Sequence, residues 1–483
     1  MTWRVLASGS LIMLAGLATW LTPQAAAAQA VFASAPTVSR LDNGLTVVSV
    51  ATDAPGIVAY YTLVRVGARD EVEQGHSGYA HLFEHMMFRG TEQIPQEDYE
   101  ARLQSFGADN NAYTTQDFTL YTVTAPETAL AQIVEIEADR FQHLSYDEDA
   151  YRTETGAVRG EYDTHASSPF QGMWEALSEM AFSRHTYGHT TLGYLRDIDA
   201  MPEEVDYSRA FFRRYYTPDN TTIIAAGDVD HAALVELVTA RYGSWEGRRE
   251  RPRIPTEPAP REGARRHIDW TSPAAPRVLV GWRTPAFQSG RTAVQRARSL
   301  RETAALRVVH GLVFSDSSPF YQEQVVEERR LLELGSWAGD LAQDPHLFIA
   351  MATLAESDEP ATALSETLDS MQGAIDRLGR GEVTPARVEA VKSHVRYAML
   401  GGLSTPSNVA NLVAQFVAVG GEVSALDAYL SALADVTVED VASVARRYLN
   451  ADRRFAVTLA QTAPETTTPS GTTTQESASE EGS

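Results

Sequence analysis

The 483-residue chain contains no cysteine. The fold therefore uses no disulfide, and any metal site must be built from His, Asp and Glu. Lipid attachment to an N-terminal cysteine is excluded as well. Positive charge is scarce: 40 Lys and Arg stand against 64 Asp and Glu, a formal charge of -24. Binding nucleic acid needs a basic footprint on the phosphates, so no nucleic-acid partner is expected. The acidity otherwise serves solubility, or lines a cavity for basic peptides. Beyond the N-terminus, no segment is apolar for long enough to span a bilayer.

What is present fits a globular protein with a substantial core, at 43% hydrophobic and 22% charged residues. The length allows two to four domains. Arg4, a mostly apolar run over 5–21 and the A-x-A sequence Ala28-Gln29-Ala30 read as a signal peptide over 1–30. A retained membrane anchor is the other reading. The mature chain is expected from about Val31 in an exported compartment, periplasmic or secreted. From Thr462 to Ser483 the composition is Thr, Ser, Pro, Gly and Glu, which predicts a disordered tail.

Glu246 to Arg266 carries four prolines among many charges and reads as a linker. It separates a half over 31–245 from one over 267–461. The halves end alike. Arg213-Arg214-Tyr215-Tyr216 leads through a turn into an apolar strand at Ile223, and Arg446-Arg447-Tyr448-Leu449 does the same into Phe455. Such self-similarity points to a duplicated domain. Strands are expected over 58–66, 118–124, 277–282 and 347–354, with helices near 130–141, 361–378 and 385–400. Helices arrive in runs between strands, which indicates an α+β fold.

The stretch carrying chemistry is Gly78-Tyr79-Ala80-His81-Leu82-Phe83-Glu84-His85-Met86-Met87-Phe88. On a helix, His81 and His85 lie four apart on one face, ~6 Å between Cβ atoms, and reach one metal ion together. Glu84 neighbours the same point and can accept a proton from water. The spacing H-x-x-E-H reverses the commoner H-E-x-x-H. Zn2+ suits two imidazoles and a carboxylate, and catalytic zinc takes three protein ligands with one position left open. A third ligand is needed. On the helix after Asp147, Tyr151, Glu154, Val158 and Glu161 share a face, so either glutamate is a candidate. Two buried carboxylates need a compensating cation; the plain alternative is an exposed stripe of charge.

These residues resemble the pitrilysin-like inverzincin peptidases, which include mitochondrial processing peptidases and insulin-degrading enzymes. The likeness spans most of both halves and is strongest from Gly67 to Glu161. Besides the motif it rests on Gly67-Ala68-Arg69-Asp70-Glu71, Phe88-Arg89-Gly90-Thr91, Phe106-Gly107 with Asn111-Ala112-Tyr113-Thr114, Tyr187-Gly188 and Leu192-Gly193. Glu161 lies 76 positions after His85, close to the family's spacing.

The resemblance implies two homologous domains, each a mixed, largely antiparallel sheet covered by helices. It implies zinc on His81, His85 and Glu161, with Glu84 as general base and later proton donor to the leaving amine. Glu154 would orient a ligand histidine. Asn111, Ala112, Tyr113 and Thr114 would pair with a peptide substrate as an added strand.

One departure stands out. The family's second half usually carries an Arg and a Tyr, seven apart, that stabilise the substrate carbonyl. Their positions fall near Val325 and Leu332. Arg329 or Arg330 is a possible substitute. The expectation is a homo- or heterodimer in which a related subunit supplies the missing pair. The rival functions are a non-catalytic scaffold of the same fold and a zinc hydrolase of a small molecule. The other histidines, His165 and His310 among them, read as surface or packing residues.

Overall fold

The structure, a computed structural model, describes residues 31–461 apart from residue 33. The expected signal peptide (1–30) and tail (462–483) lie outside the described residues.

Two mixed, largely antiparallel sheets organise the chain. The first comprises β1 (Thr37–Arg40), β2 (Thr46–Ala51), β3 (Ile57–Val64), β4 (Asp109–Thr114), β5 (Thr119–Pro126) and β6 (Thr221–Gly227). Its spatial order is β1-β2-β6-β3-β5-β4. The second comprises β7 (Ala264–Trp270), β8 (Arg277–Arg283), β9 (Leu331–Trp337), β10 (Leu347–Leu354) and β11 (Phe455–Gln461), in the order β7-β11-β8-β10-β9. Leaving β1 aside, the two orders are the same permutation of the chain. The parallel pair also falls in the same place, β2 with β6 and β7 with β11. A duplicated unit explains that coincidence more simply than convergence does.

Side chains on β3 alternate between two cores. Val58, Tyr60 and Val64 pack beneath the first half's own helices, while Ala59, Tyr61 and Leu63 pack on the opposite face. What covers that opposite face comes from the other half: Val409, Val413 and Val417 of the helix Pro406–Gly420. Reciprocally, the helix Pro169–Ala181 of the first half lays Met173 and Leu177 on the outer face of the second sheet, against Leu279 and Ile349. Each lent helix starts at an N1 proline after a Ser or Thr, a favoured opening that fixes the first turn. Each buried Val or Leu contributes roughly 1.5–3 kcal/mol, so the exchange ties the halves together.

Residues 246–263 carry no helix or strand, and β7 begins at Ala264. This stretch is not free of the body: Glu257 accepts backbone N–H bonds from Arg184 (2.7 Å) and His185 (2.9 Å). No single helix among the described residues is long and apolar enough to cross a membrane.

Candidate metal centre and active site

The motif forms the helix Tyr79–Met86, with Tyr79, Leu82, Phe83 and Met86 buried. Gly78 opens it at φ +91°, and a Cβ there would collide with the carbonyl of Leu192. Glycine is therefore required twice over, by conformation and by close approach. The helix has no side-chain cap of its own. Glu71, wholly buried, does that work from outside by accepting N–H bonds from Gly78 and Ala80, both at 2.7 Å. Burial pushes its carboxyl up to about 8.

Facing this helix is Glu148–Ala166, capped by Asp147, whose side chain accepts from the Ala150 N–H. The expected shared face is real. Tyr151 and Val158 are buried, while Glu154 and Glu161 point at the two histidines. Glu161 Oε2 lies 3.5 Å from His81 Nε2 and 3.4 Å from His85 Nε2. The rings stand nearly perpendicular, centroids 4.8 Å apart. One ligand atom from each of His81, His85 and Glu161 falls within 4.8 Å of the others.

The donor set fits a divalent cation. Glu154 sits 3.3 Å from His85 Nδ1 and also pairs with Arg89. A carboxylate there assigns the proton of a neutral His85 to Nδ1, which leaves the Nε2 lone pair facing the Glu161 oxygen. Lone pair against carboxylate is repulsive unless a proton or a metal cation lies between them. Burial pushes His81 down to about 4, so its ring is neutral near pH 7. The hydrogen bond with Glu154 raises His85. Burial raises Glu154 too, but the bonds from His85 and Arg89 outweigh it and hold it below its ordinary value. Burial also raises Glu84, against hydrogen bonding from Thr114.

His81, Glu84 and Glu161 line a cleft of about 850 Å³ built from both halves. Arg69 to Asp344 (2.6 Å) and the Gln343 N–H to the Asp117 carboxylate (3.1 Å) bind the halves together beside it. The residues read as a substrate strand occupy β4, which pairs only with β5 and forms one edge of its sheet. Tyr113 and Thr114 line the cleft; Asn111 and Ala112 do not. The Tyr113 hydroxyl donates to Asn411 at 2.6 Å, on the lent helix.

One expectation changes. Arg329 and Arg330 do not reach the cleft. They line a separate cavity with Glu328 and Asp358, and Arg330 pairs with Glu328 at 3.1 Å. The turn between the helical segment Gln322–Glu327 and β9 sends both side chains away from the metal ligands. They are not substitutes for the family's arginine, and neither Val325 nor Leu332 lines the cleft. His165 is exposed, as expected of a surface histidine, yet it stands beside the site. Its Nε2 lies 3.5 Å from Glu161 Oε1, and it borders the cleft. The i,i+4 spacing from Glu161 was the available signal. Arg307, Trp337 and Asp340 also enter the cleft, with no signal in the sequence.

Comparison with known proteins agrees with this architecture. The family model described as "Insulinase (Peptidase family M16)" matches residues 46–194, and "Peptidase M16 inactive domain" matches 204–395. The zinc protease PqqE of Helicobacter pylori is 26% identical over 433 residues, covering 87% of this chain and 91% of that one. The mitochondrial-processing peptidase subunit beta of Blastocladiella emersonii is 30% identical over 206 residues, 43% of this chain and 44% of that protein. The crystal structure of a protease from Helicobacter pylori superposes with a TM-score of 0.80 at 25% identity, covering 88% of this chain and 99% of that one. With its two-domain fold and both family models matched in order, this chain belongs to the pitrilysin-like peptidase family M16.

Proposed function

We propose that the protein is a zinc-dependent endopeptidase acting on peptides or unfolded protein segments in an exported compartment. The observation that carries the reading is one carboxylate oxygen, Glu161 Oε2, within 3.5 Å of two imidazole Nε2 atoms. On this reading His81, His85 and Glu161 hold the metal. What zinc supplies when bound is Lewis acidity, which polarises a carbonyl and makes water more acidic. Glu84, raised by burial and bordering the cleft, takes a proton from the attacking water and returns it to the leaving amine. Glu154 and Arg89 hold the His85 ring in orientation. The free edge of β4 binds the peptide as an added strand, which favours extended substrates of broad sequence.

Val325 and Leu332, standing where the family's Arg and Tyr are expected, support a second element. A related subunit, either another copy or a homologue, completes the site with the Arg and Tyr this chain lacks. A monomeric preparation cleaving at the full rate of the assembly would refute that element.

The central test is Glu84→Gln, compared with wild type for bound zinc and for hydrolysis of an unfolded protein. Zinc is expected to stay while cleavage is lost. Unchanged cleavage would remove Glu84 as the base. Glu161→Ala is expected to lose the metal, and full occupancy there would remove it from the ligand set.

A further inference from the structure

Resting on the peptidase reading, we propose that Arg307 anchors a carboxylate of the bound peptide. The cleft then selects substrates that place a carboxylate, C-terminal or from Asp or Glu, beside an apolar side chain.

Arg307 comes from the helix Ala293–Val313 of the second half, yet it lines the same cleft as His81 and Glu84. A guanidinium has five N–H donors. Asp340 takes two along one side, from Nε at 3.0 Å and Nη2 at 2.6 Å. The outer edge, Nη1 with the second Nη2 hydrogen, is left over. The Tyr429 hydroxyl is a further hydrogen-bond neighbour of the guanidinium, and neither bond to Asp340 uses Nη1. The exposures are lopsided: the Asp340 side chain is 2% exposed and the Arg307 side chain 33%. The anion is sunk and the cation opens partway into the cleft.

The fork is also fixed. Besides its two bonds to Arg307, Asp340 accepts from the buried Tyr429 hydroxyl, so the guanidinium plane has one orientation. A preoriented pair of parallel N–H groups is what two-point recognition of a carboxylate needs. Part of the cleft wall is aromatic. Phe170 stacks on Trp174 at 6.3 Å and meets Trp337 at 6.3 Å, and Trp337 is 54% exposed on β9. That surface takes an apolar side chain next to the anchored anion.

The test uses the zinc-loaded full chain carrying Glu84→Gln, so that peptides bind without being cut. Three fluorescent pentapeptides with a central Phe are compared by anisotropy: a free C-terminal acid, its carboxamide, and the carboxamide with one internal Glu. We expect the acid or the Glu peptide to bind tighter than the plain amide by on the order of 10- to 100-fold, the worth of a charge-assisted hydrogen bond. Whichever of the two gains identifies the source of the carboxylate. Adding Arg307→Gln should erase the gain and leave amide affinity unchanged. If that variant does not fold because Asp340 is stranded, Arg307→Gln with Asp340→Asn removes both charges together and is read in the same way. Equal binding of all three peptides, or a preference that survives loss of Arg307, overturns the proposal while leaving the peptidase reading intact. Binding of none of them overturns both.

Discussion

Glu154→Gln offers a sharp perturbation of the metal centre, because it changes no proposed ligand. The substitution keeps shape and volume but removes a charge held between His85 Nδ1 at 3.3 Å and the Arg89 guanidinium. A carboxylate serves both donors. An amide turned toward one presents its NH2 to the other, so one charge-assisted bond is lost, worth about 1.5–3 kcal/mol. The Glu154 side chain is only 13% exposed, so solvent replaces little of it. The loss falls on the orientation and basicity of the His85 ring, and a supporting partner of this kind is worth roughly 10–100-fold in metal affinity. The assay is zinc competition against a chromophoric chelator, using metal-stripped and refolded-state-checked protein. Thr153→Ala, on the exposed side of the same helix, serves as control. Zinc affinity indistinguishable from wild type would show that Glu154 does not support the ligand, and the tautomer argument for His85 would fall with it.

Three further outcomes follow from the structure. His346 is half-buried at the cleft wall, and loss of solvation depresses its ring to about 4, below the unfolded value near 6.5. The sign is that of a group buried neutral: its contribution is whole above pH 6.5 and is lost as pH falls toward 4, at most about 3 kcal/mol. Urea unfolding at pH 7 and pH 4.5 should show a smaller acid loss in His346→Gln than in wild type. Gly78→Ala forces a side chain into a left-handed conformation against the Leu192 carbonyl. It should cost about 1–3 kcal/mol in unfolding free energy and weaken zinc binding as the motif helix shifts. Val413→Asp places a charge between the lent helix and the first sheet. Both halves should lose protease resistance together; loss confined to the second half would refute the interlocked packing.

Much of the site was legible because its strongest elements are local. The spacing of His81, Glu84 and His85 on a single helix fixes their common face by the 3.6-residue period alone. The same period ranks Glu154 and Glu161 as a pair on the second helix. Asp147 marks that helix's start by a capping rule read directly from the sequence. The strand at Leu347–Leu354 was found at its bounds, and the one expected over 58–66 emerged as Ile57–Val64, shifted at the ends where pairing and not pattern sets the limit. His165, four residues past Glu161, is a surface residue as its surroundings in the sequence suggest, and the helical period puts it beside that carboxylate.

Which side chains share a helical face, where helices begin, and that two similar units follow one another can all be read along the chain. Those are properties of neighbours along the chain, governed by backbone periodicity and capping. It took packing in three dimensions to bring Glu161 Oε2 to both rings, to set Glu71 as an outside cap on the motif helix, and to turn Arg307 into the cleft and Arg329 and Arg330 out of it. The same packing lends a helix of each half to the other's sheet. Apart from the Glu71 cap, which spans seven to nine positions, these meetings join residues tens to hundreds of positions apart, and their distances depend on how sheets twist and helices dock, which no local period encodes.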